Sequence, residues 1–553
     1  MIPLAHRLMR SFSVTATIVG LVFLCAALTP SLLPRVPLVQ GVLAGLAFAV
    51  GYGSTVIALG LWRFMELREV TGHVARVAGW GALAIAALAT LATLQRMLVW
   101  QNSIRTLMEM EPVNSAYPMT VLAVAVPVAA GLILLARLAL LAVRYLARWL
   151  ARIMPPRVAL VASVTVLTLL VVNLFNGVIL KHTINAMDQT FAAIDQATDD
   201  DLPFPPASAL VSGGPGSFIA WQDIGRNGKR FVTGGPTGDE IAALTARPAL
   251  TPIRVYAGYN SGRDLKARAQ IALAELIRVG GFEREVLIVV TPTGTGWIDP
   301  SSAWPVEYLH RGDIATVAIQ YSYLPSWLTL MVDPDRSRRA TRALFDAVYH
   351  HWTTLPADTR PRLYLFGLSL GALGSEAALD FLDMLGDPIQ GAVLAGPPFA
   401  STIWPTLVRD RVPDSPAWAP VFRDASMVRF QTRAGMIAPA GANWGVLRIV
   451  YIQHGSDPMV WFSPSLAWRS PPWLNAGRAP VVSPFVRWFP LVTFLQIGFD
   501  VFMATSAPLG HAHNYAPEEY IDAWRAVSDP ADWSDADTAA LKAAFADFDP
   551  SPL

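Results

Sequence analysis

Arg362-Leu363-Tyr364-Leu365-Phe366-Gly367-Leu368-Ser369-Leu370-Gly371-Ala372-Leu373-Gly374-Ser375 is the stretch whose reading decides the fold. Residues 362–368 have the length and apolar character of a buried strand. The small residues at 372–375 open a helix. Between them stands Gly367-Leu368-Ser369-Leu370-Gly371, a Gly-x-Ser-x-Gly at a strand-to-helix junction. A sharp turn there crowds the serine backbone, which flanking glycines relieve, and lifts the hydroxyl above the sheet. The same turn aims the Leu370 N–H and the helix N-terminus at a developing oxyanion. Ser369 is therefore the candidate nucleophile, against the plainer reading of a serine in a βα loop.

A serine hydroxyl needs a base and a group to orient that base. For a nucleophile on this kind of turn the chain order is serine, then acid, then histidine. The predicted strand 447–453 runs into His454-Gly455-Ser456-Asp457-Pro458, which makes Asp457 the candidate acid. Asp424 and Asp500 are weaker rivals, and His454 reads as a turn residue beside the acid. Further on, Gly510-His511-Ala512-His513-Asn514-Tyr515 carries two imidazoles in a glycine-bearing loop. His511, directly after Gly510, is the preferred base and His513 the alternative. Two histidines one residue apart also suit a metal, but no carboxylate or cysteine lies close in sequence, so no metal and no cofactor is expected. The loop Thr291-Pro292-Thr293-Gly294-Thr295-Gly296-Trp297 is the expected second half of the oxyanion hole. Proline has no N–H, which leaves Thr293 or Gly294 as donor. A phosphate cradle is a poor competitor, because no Gly-Lys-Ser/Thr ending follows.

Around these motifs, strand candidates at 253–258, 285–290, 314–321, 362–368, 390–395 and 447–453 alternate with helix candidates at 263–278, 301–310, 335–352 and 372–384. Continuous apolar strands separated by helices predict a parallel sheet covered on both faces. Arg226-Asn227-Gly228 reads as a tight turn, and 489–503 as a helix where a further strand is expected. The stretches 396–446 and 460–490 are rich in Pro and in Trp404, Trp418, Trp444, Trp461, Trp468, Trp473 and Trp488. They predict a cap, either a lid over an acyl pocket, a membrane-interface surface, or plain packing.

The first third of the chain is of another kind. Over the whole 553 residues only 15% are charged and mean hydropathy is +0.41, which excludes a disordered or wholly water-exposed protein. The near-zero net charge hides an asymmetry. Residues 1–182 hold 14 basic and 4 acidic residues, net +10; the remainder holds 28 and 37, net −9. Apolar stretches near 12–30, 37–62, 77–95, 118–136 and 158–180 are each about the length that crosses a bilayer. The first lacks a small-residue cleavage site and reads as an anchor. Gly41, Gly45, Gly51 and Gly53 in the second permit close helix contact. With a cytoplasmic N-terminus, the inside segments hold nine basic residues and the outside segments four, a bias that favours that orientation. Five crossings then put the rest of the chain outside the cytoplasm. Arg144, Arg148 and Arg152 share one face of a helix expected to run along the cytoplasmic lipid surface. The acidic, proline-broken stretch 199–206 reads as a juxtamembrane linker, preceded by a helix near 184–197. Cys25 is the single cysteine, so there is no disulfide framework. No basic stripe supports nucleic-acid binding.

Together the Ser369 turn, the 510–515 segment, Pro292 to Trp297, Ser31-Leu32-Leu33-Pro34-Arg35 with Gln40-Gly41, and Gln320-Tyr321-Ser322-Tyr323-Leu324-Pro325-Ser326-Trp327 resemble the α/β-hydrolase superfamily. They are most similar to its bacterial membrane branch, which carries an N-terminal multi-span region. The resemblance spans nearly the whole chain and implies fold and chemistry more than a substrate. The expected organisation is a transmembrane helical domain over 1–182, a juxtamembrane helix and linker over 183–250, and an α/β-hydrolase domain over 251–553. The expected function is an inner-membrane, multi-pass serine hydrolase with an extracytoplasmic catalytic domain, acting on a hydrophobic or lipidic ester. An acyltransferase using the same acyl-enzyme and a non-catalytic lipid-handling scaffold are the alternatives.

Overall fold

The computed structural model describes residues 12–68, 72–174, 180–196, 205–379, 384, 386–475 and 477–550. Arg7 and Arg10, most of the 199–206 linker, and the end of the predicted helix 372–384 lie outside them. The chain divides into two compact units.

The first unit takes in residues 1–185 together with 463–475 and 480–503. Its helices are α1 (Val14–Leu28), α2 (Pro37–Phe64), α3 (His73–Leu107), α4 (Pro118–Leu150) and α5 (Pro156–Asn173). Four of them, α2 to α5, are long and apolar enough to span a bilayer, which marks a membrane protein. At 15 residues α1 is shorter than a full span, so the expected five crossings reduce to four long helices and one short one. Gly41 and Gly45 of α2 lie against α4, where a Cβ would press within 2.6 Å of Val124 and of the Ala125 carbonyl. Gly51 meets Phe23 of α1 in the same way, whereas Gly53 faces open space. Close packing without a hydrophobic drive accounts for three of the four glycines. Arg144 and Arg148 lie on the last turns of α4 itself, so they extend that helix and form no separate surface helix.

An apolar helix Val492–Phe502 belongs to this unit, with Val492 packed among Ala26, Ala27, Leu43 and Ala47. Its Asp500 is fully buried and accepts Arg35 Nε–H (2.9 Å) and Leu32 N–H (3.1 Å). Arg35 also donates to Ser31, to Gln40 Oε1 (3.2 Å) and to the Gln496 carbonyl (3.0 Å). These partners discharge the cost of burying a guanidinium. Within the stretch 251–553, residues 463–475 and 480–503 fall in this first compact unit.

The second unit takes in 186–462, 476–479 and 504–553. It holds an eight-stranded sheet in the order β1-β3-β2-β4-β5-β8-β6-β7. The strands are β1 (Ile253–Ala257), β2 (Val286–Thr291), β3 (Ile314–Ile319), β4 (Arg362–Leu368), β5 (Gly391–Ala395), β6 (Val428–Thr432), β7 (Gly435–Ile437) and β8 (Arg448–Ile452). All pairings are parallel except β6 with β7. β1, β2, β3 and β5 are buried at every residue, as strands covered on both faces must be. β6 and β7 fall inside 396–446, which the sequence reads as part of a cap. Arg226-Asn227-Gly228 opens a helix, Arg226–Thr233, instead of forming a tight turn. Gly228 is there because a Cβ would overlap the Tyr256 ring. Trp404 and Trp461 pack edge to face at 5.6 Å in this unit, while Trp468, Trp473 and Trp488 belong to the first.

Candidate active site

β4 ends in the turn that carries Ser369. Its backbone sits at φ 59°, ψ −119°, left-handed for a residue with a Cβ. Strain of that kind persists only where the surroundings hold it. Here the Ser369 N–H donates to the Ala395 carbonyl at the end of β5 (2.9 Å). Both flanking glycines are forced by close approach: a Cβ on Gly367 would overlap the Gly371 backbone, and one on Gly371 would overlap the Thr291 carbonyl. The helix Leu370–Ala378 follows at once, so the Leu370 N–H is one of its first-turn donors with no intrahelical acceptor. Ser369 is 2% exposed and its Oγ has no hydrogen-bond partner.

β8 leads to Asp457, which is fully buried. One carboxylate oxygen caps the short helix Pro458–Trp461 by accepting Met459 N–H at 2.8 Å. The other accepts His513 Nδ1–H (2.6 Å) and Tyr515 Oη–H (2.6 Å). A carboxylate acceptor on Nδ1 places that ring proton there and turns the lone pair of Nε2 away from it. His513 Nε2 is buried and unpartnered. The imidazole lies against Gly396, where a Cβ would come 2.6 Å from its Cε1. Ala395 holds Ser369 and the next residue abuts His513, so both side chains lie at the end of β5, with no hydrogen bond between Ser369 Oγ and His513 Nε2.

Of the two histidines in the 510–514 loop, Asp457 is thus paired with His513, not with the preferred His511. His511 Nε2 accepts Arg433 Nη1–H at 2.6 Å and is held in a one-residue bridge to Asn514. An arginine has only donors, so it occupies the ring lone pair a base would use. The two rings part because Gly510 (φ 80°) and Ala512 (φ 50°) are both left-handed. Ala512 is clamped: its N–H donates to Ser456 Oγ (3.2 Å), and its carbonyl accepts His454 Nδ1–H (2.7 Å).

His454 is more than a turn residue. Its Nε2 lies 2.7 Å from Glu519 Oε1, so both ring nitrogens face acceptors, which favours the charged ring. Burial opposes that charge, but the Glu519 carboxylate and the Ala512 carbonyl outweigh it and raise the pKa. Asp299, at the end of the loop that follows β2, is a further group the motifs do not reveal. Burial pushes its carboxyl up to about 6, against the Ser301 N–H it accepts (2.9 Å) and the attraction of a protonated His513 ring. A carboxylate next to a proline and a helix start reads as a cap, which it also is.

The predicted oxyanion donors divide. Among the described residues no hydrogen bond takes the Leu370 N–H. Thr293 N–H is spent on the Trp297 carbonyl (2.9 Å) and Gly294 N–H on Ser326 Oγ (3.0 Å), so neither is the second donor. The rival acids are also placed: Asp424 accepts from Ser426, and Asp500 is taken by Arg35. Among the described residues no group of three His, Cys, Asp or Glu side chains is placed to hold a metal.

Residues 253–541 match the alpha/beta-hydrolase family, and residues 28–236 match the alpha/beta-hydrolase family N-terminus. The chain belongs to the alpha/beta-hydrolase family, in a form that carries that N-terminal region. No match was found among curated proteins or among solved structures.

Proposed function

We propose that this chain is a membrane-anchored serine hydrolase that cleaves hydrophobic or lipidic carboxylic esters through an acyl-enzyme. The observation that carries the reading is the pair of buried, unpartnered atoms at the end of β5: Ser369 Oγ and His513 Nε2, the latter on a ring fixed by Asp457. Ser369 attacks the ester carbonyl as His513 Nε2 accepts its proton, and the same proton then goes to the leaving alcohol. Asp457 orients the ring and stabilises the imidazolium, and it is itself held by its Met459 and Tyr515 donors. The Leu370 N–H and the positive end of its helix face the developing oxyanion. Water then repeats the sequence on the acyl-enzyme.

Anchoring in a bilayer concentrates lipid-derived esters beside the site, which favours an apolar acyl group. The excess of arginine on alternate segments favours a catalytic unit outside the cytoplasm. Hydrolysis by the purified full chain of acyl esters of graded length tests the activity. Turnover that rises with chain length and vanishes in Ser369→Ala supports it, and absence of turnover across the series refutes it.

A further inference from the structure

A cavity opens on the same rim of the sheet. It has a volume of about 570 Å³ and is lined by Tyr259 and its neighbours after β1, by Tyr321 after β3, and by Arg336 and Arg339 of the helix Asp335–Thr354. β3 and β4 flank β2, and strands lie ~4.8 Å apart, so the ends of β3 and β4 stand on the order of 10 Å from each other. Two hydrogen bonds link the residues around the cavity to the loop after β2 and to the Ser369 turn. Tyr321 Oη–H donates to the Pro292 carbonyl (3.0 Å), and Ser337, next to Arg336, donates to the Leu370 carbonyl (2.5 Å).

The lining is strongly cationic. It includes Arg263, Arg268, Arg336 and Arg339 against Asp264 and Asp333. Asp264 caps a helix through Ala267 N–H (2.8 Å) and pairs with Arg263, while Asp333 pairs with Arg336 and Arg339. Arg268 is left over. It is 4% exposed, and among the described residues no carboxylate pairs with it. Its Nη1 and Nη2 donate to the Gln320 and Tyr259 carbonyls (2.7 and 2.6 Å), it stacks on the Tyr259 ring, and its Nε has no partner. Asp264 attracts it from beyond ion-pair distance and two carbonyls orient it without neutralising it, and a buried charge with no ion-pair partner is expensive. Facing a cavity, it calls for an anion from outside.

We propose that this cavity binds a phosphate-class oxyanion. Several planar guanidinium forks match the charge and oxygen geometry of a phosphate monoester. The volume exceeds a bare anion and lies in the range of sites that hold a whole small ligand. Taken with the ester-hydrolase reading, on which this step rests, the anion is the head group of the ester that Ser369 attacks.

The test has two arms, both on the full chain in an uncharged, phosphate-free detergent. In the first, inorganic phosphate is titrated against the protein, with chloride at matched ionic strength as control. Saturable binding is expected, weakened at least tenfold in Arg336→Gln/Arg339→Gln and in Arg268→Gln. The double variant alters partly exposed side chains, so it remains informative if the buried change fails to fold. No saturable binding, or binding indifferent to these arginines, overturns the site. In the second arm, kcat/KM is compared for an acylglycerol phosphate and the uncharged acylglycerol of equal chain length. A preference of at least tenfold for the anionic ester that collapses in the double variant identifies the head group as the source. Phosphate binding without that preference assigns the cavity to free phosphate and overturns the substrate assignment. Phosphate binding with no hydrolysis of either ester upholds the site and refutes the catalytic reading alone.

Discussion

Tyr515 and His513 share one oxygen of Asp457, each at 2.6 Å. The carboxylate that orients the imidazole is thus itself held by a buried hydroxyl whose own ionisation is pushed well above its usual range by burial and by Asp457. Tyr515→Phe removes one hydrogen bond to a charged group, worth about 1.5–3 kcal/mol. We expect kcat to fall on the order of tenfold with KM little changed, measured by steady-state hydrolysis. An unchanged kcat would show that Asp457 needs no such support.

Asp299 bears on the pH profile. Burial raises its carboxyl to about 6, and its negative charge and an imidazolium at His513 favour each other. Asp299→Asn removes that charge, so protonation of the base should require lower pH. The acid limb of kcat/KM is expected to move down, and kcat at neutral pH to drop several-fold as imidazolium stabilisation is lost. A limb that moves up in pH contradicts the assignment.

His454 makes a stability prediction of definite sign. Its folded-state pKa is raised above the usual value of ~6.5. The charged pair with Glu519 therefore stabilises the fold fully below that value, and the contribution is lost as pH rises through the raised pKa. The Tm gap between the native chain and His454→Gln should be widest in mildly acidic buffer and shrink toward alkaline pH. Thermal unfolding across pH 6 to 9 reads this directly; a gap that grows with pH rules out the charged form.

The buried Arg35–Asp500 pair predicts a different pattern. Breaking one partner strands a charge, at a cost of about 3–5 kcal/mol, whereas replacing both by apolar residues is close to neutral. Arg35→Met should lower the thermal stability of the full chain sharply, and Arg35→Met/Asp500→Leu should recover most of it. Equal losses in the single and double variants would show that the other contacts of Arg35 dominate.

What could be read in advance follows the range of the interactions. The β4 turn is legible because its geometry is local: Gly367, Ser369 and Gly371 are spaced by the turn they must make. Asp457 is legible for the same reason, at a strand end followed by proline. The choice between His511 and His513 is not local. It is decided by Ala512, whose N–H and carbonyl are gripped by Ser456 and His454 some 56 and 58 positions away. His454 in turn depends on Glu519, a helix residue that reads as an ordinary capping acid. Thr293 and Gly294 fail as donors because their N–H groups close the loop on Trp297 and Ser326, which no spacing rule reveals. Asp500 reads as a possible acid until Arg35, 465 positions away, takes it.

The central claim is that His513, held by Asp457, activates Ser369. Fluorophosphonate labelling rates of the full chain and its Ser369→Ala, His513→Ala and His511→Ala variants test it most directly. The account predicts no labelling without Ser369, a loss on the order of 10³-fold or more without His513, and near-native labelling without His511. Near-native labelling of His513→Ala beside a silent His511→Ala would contradict it.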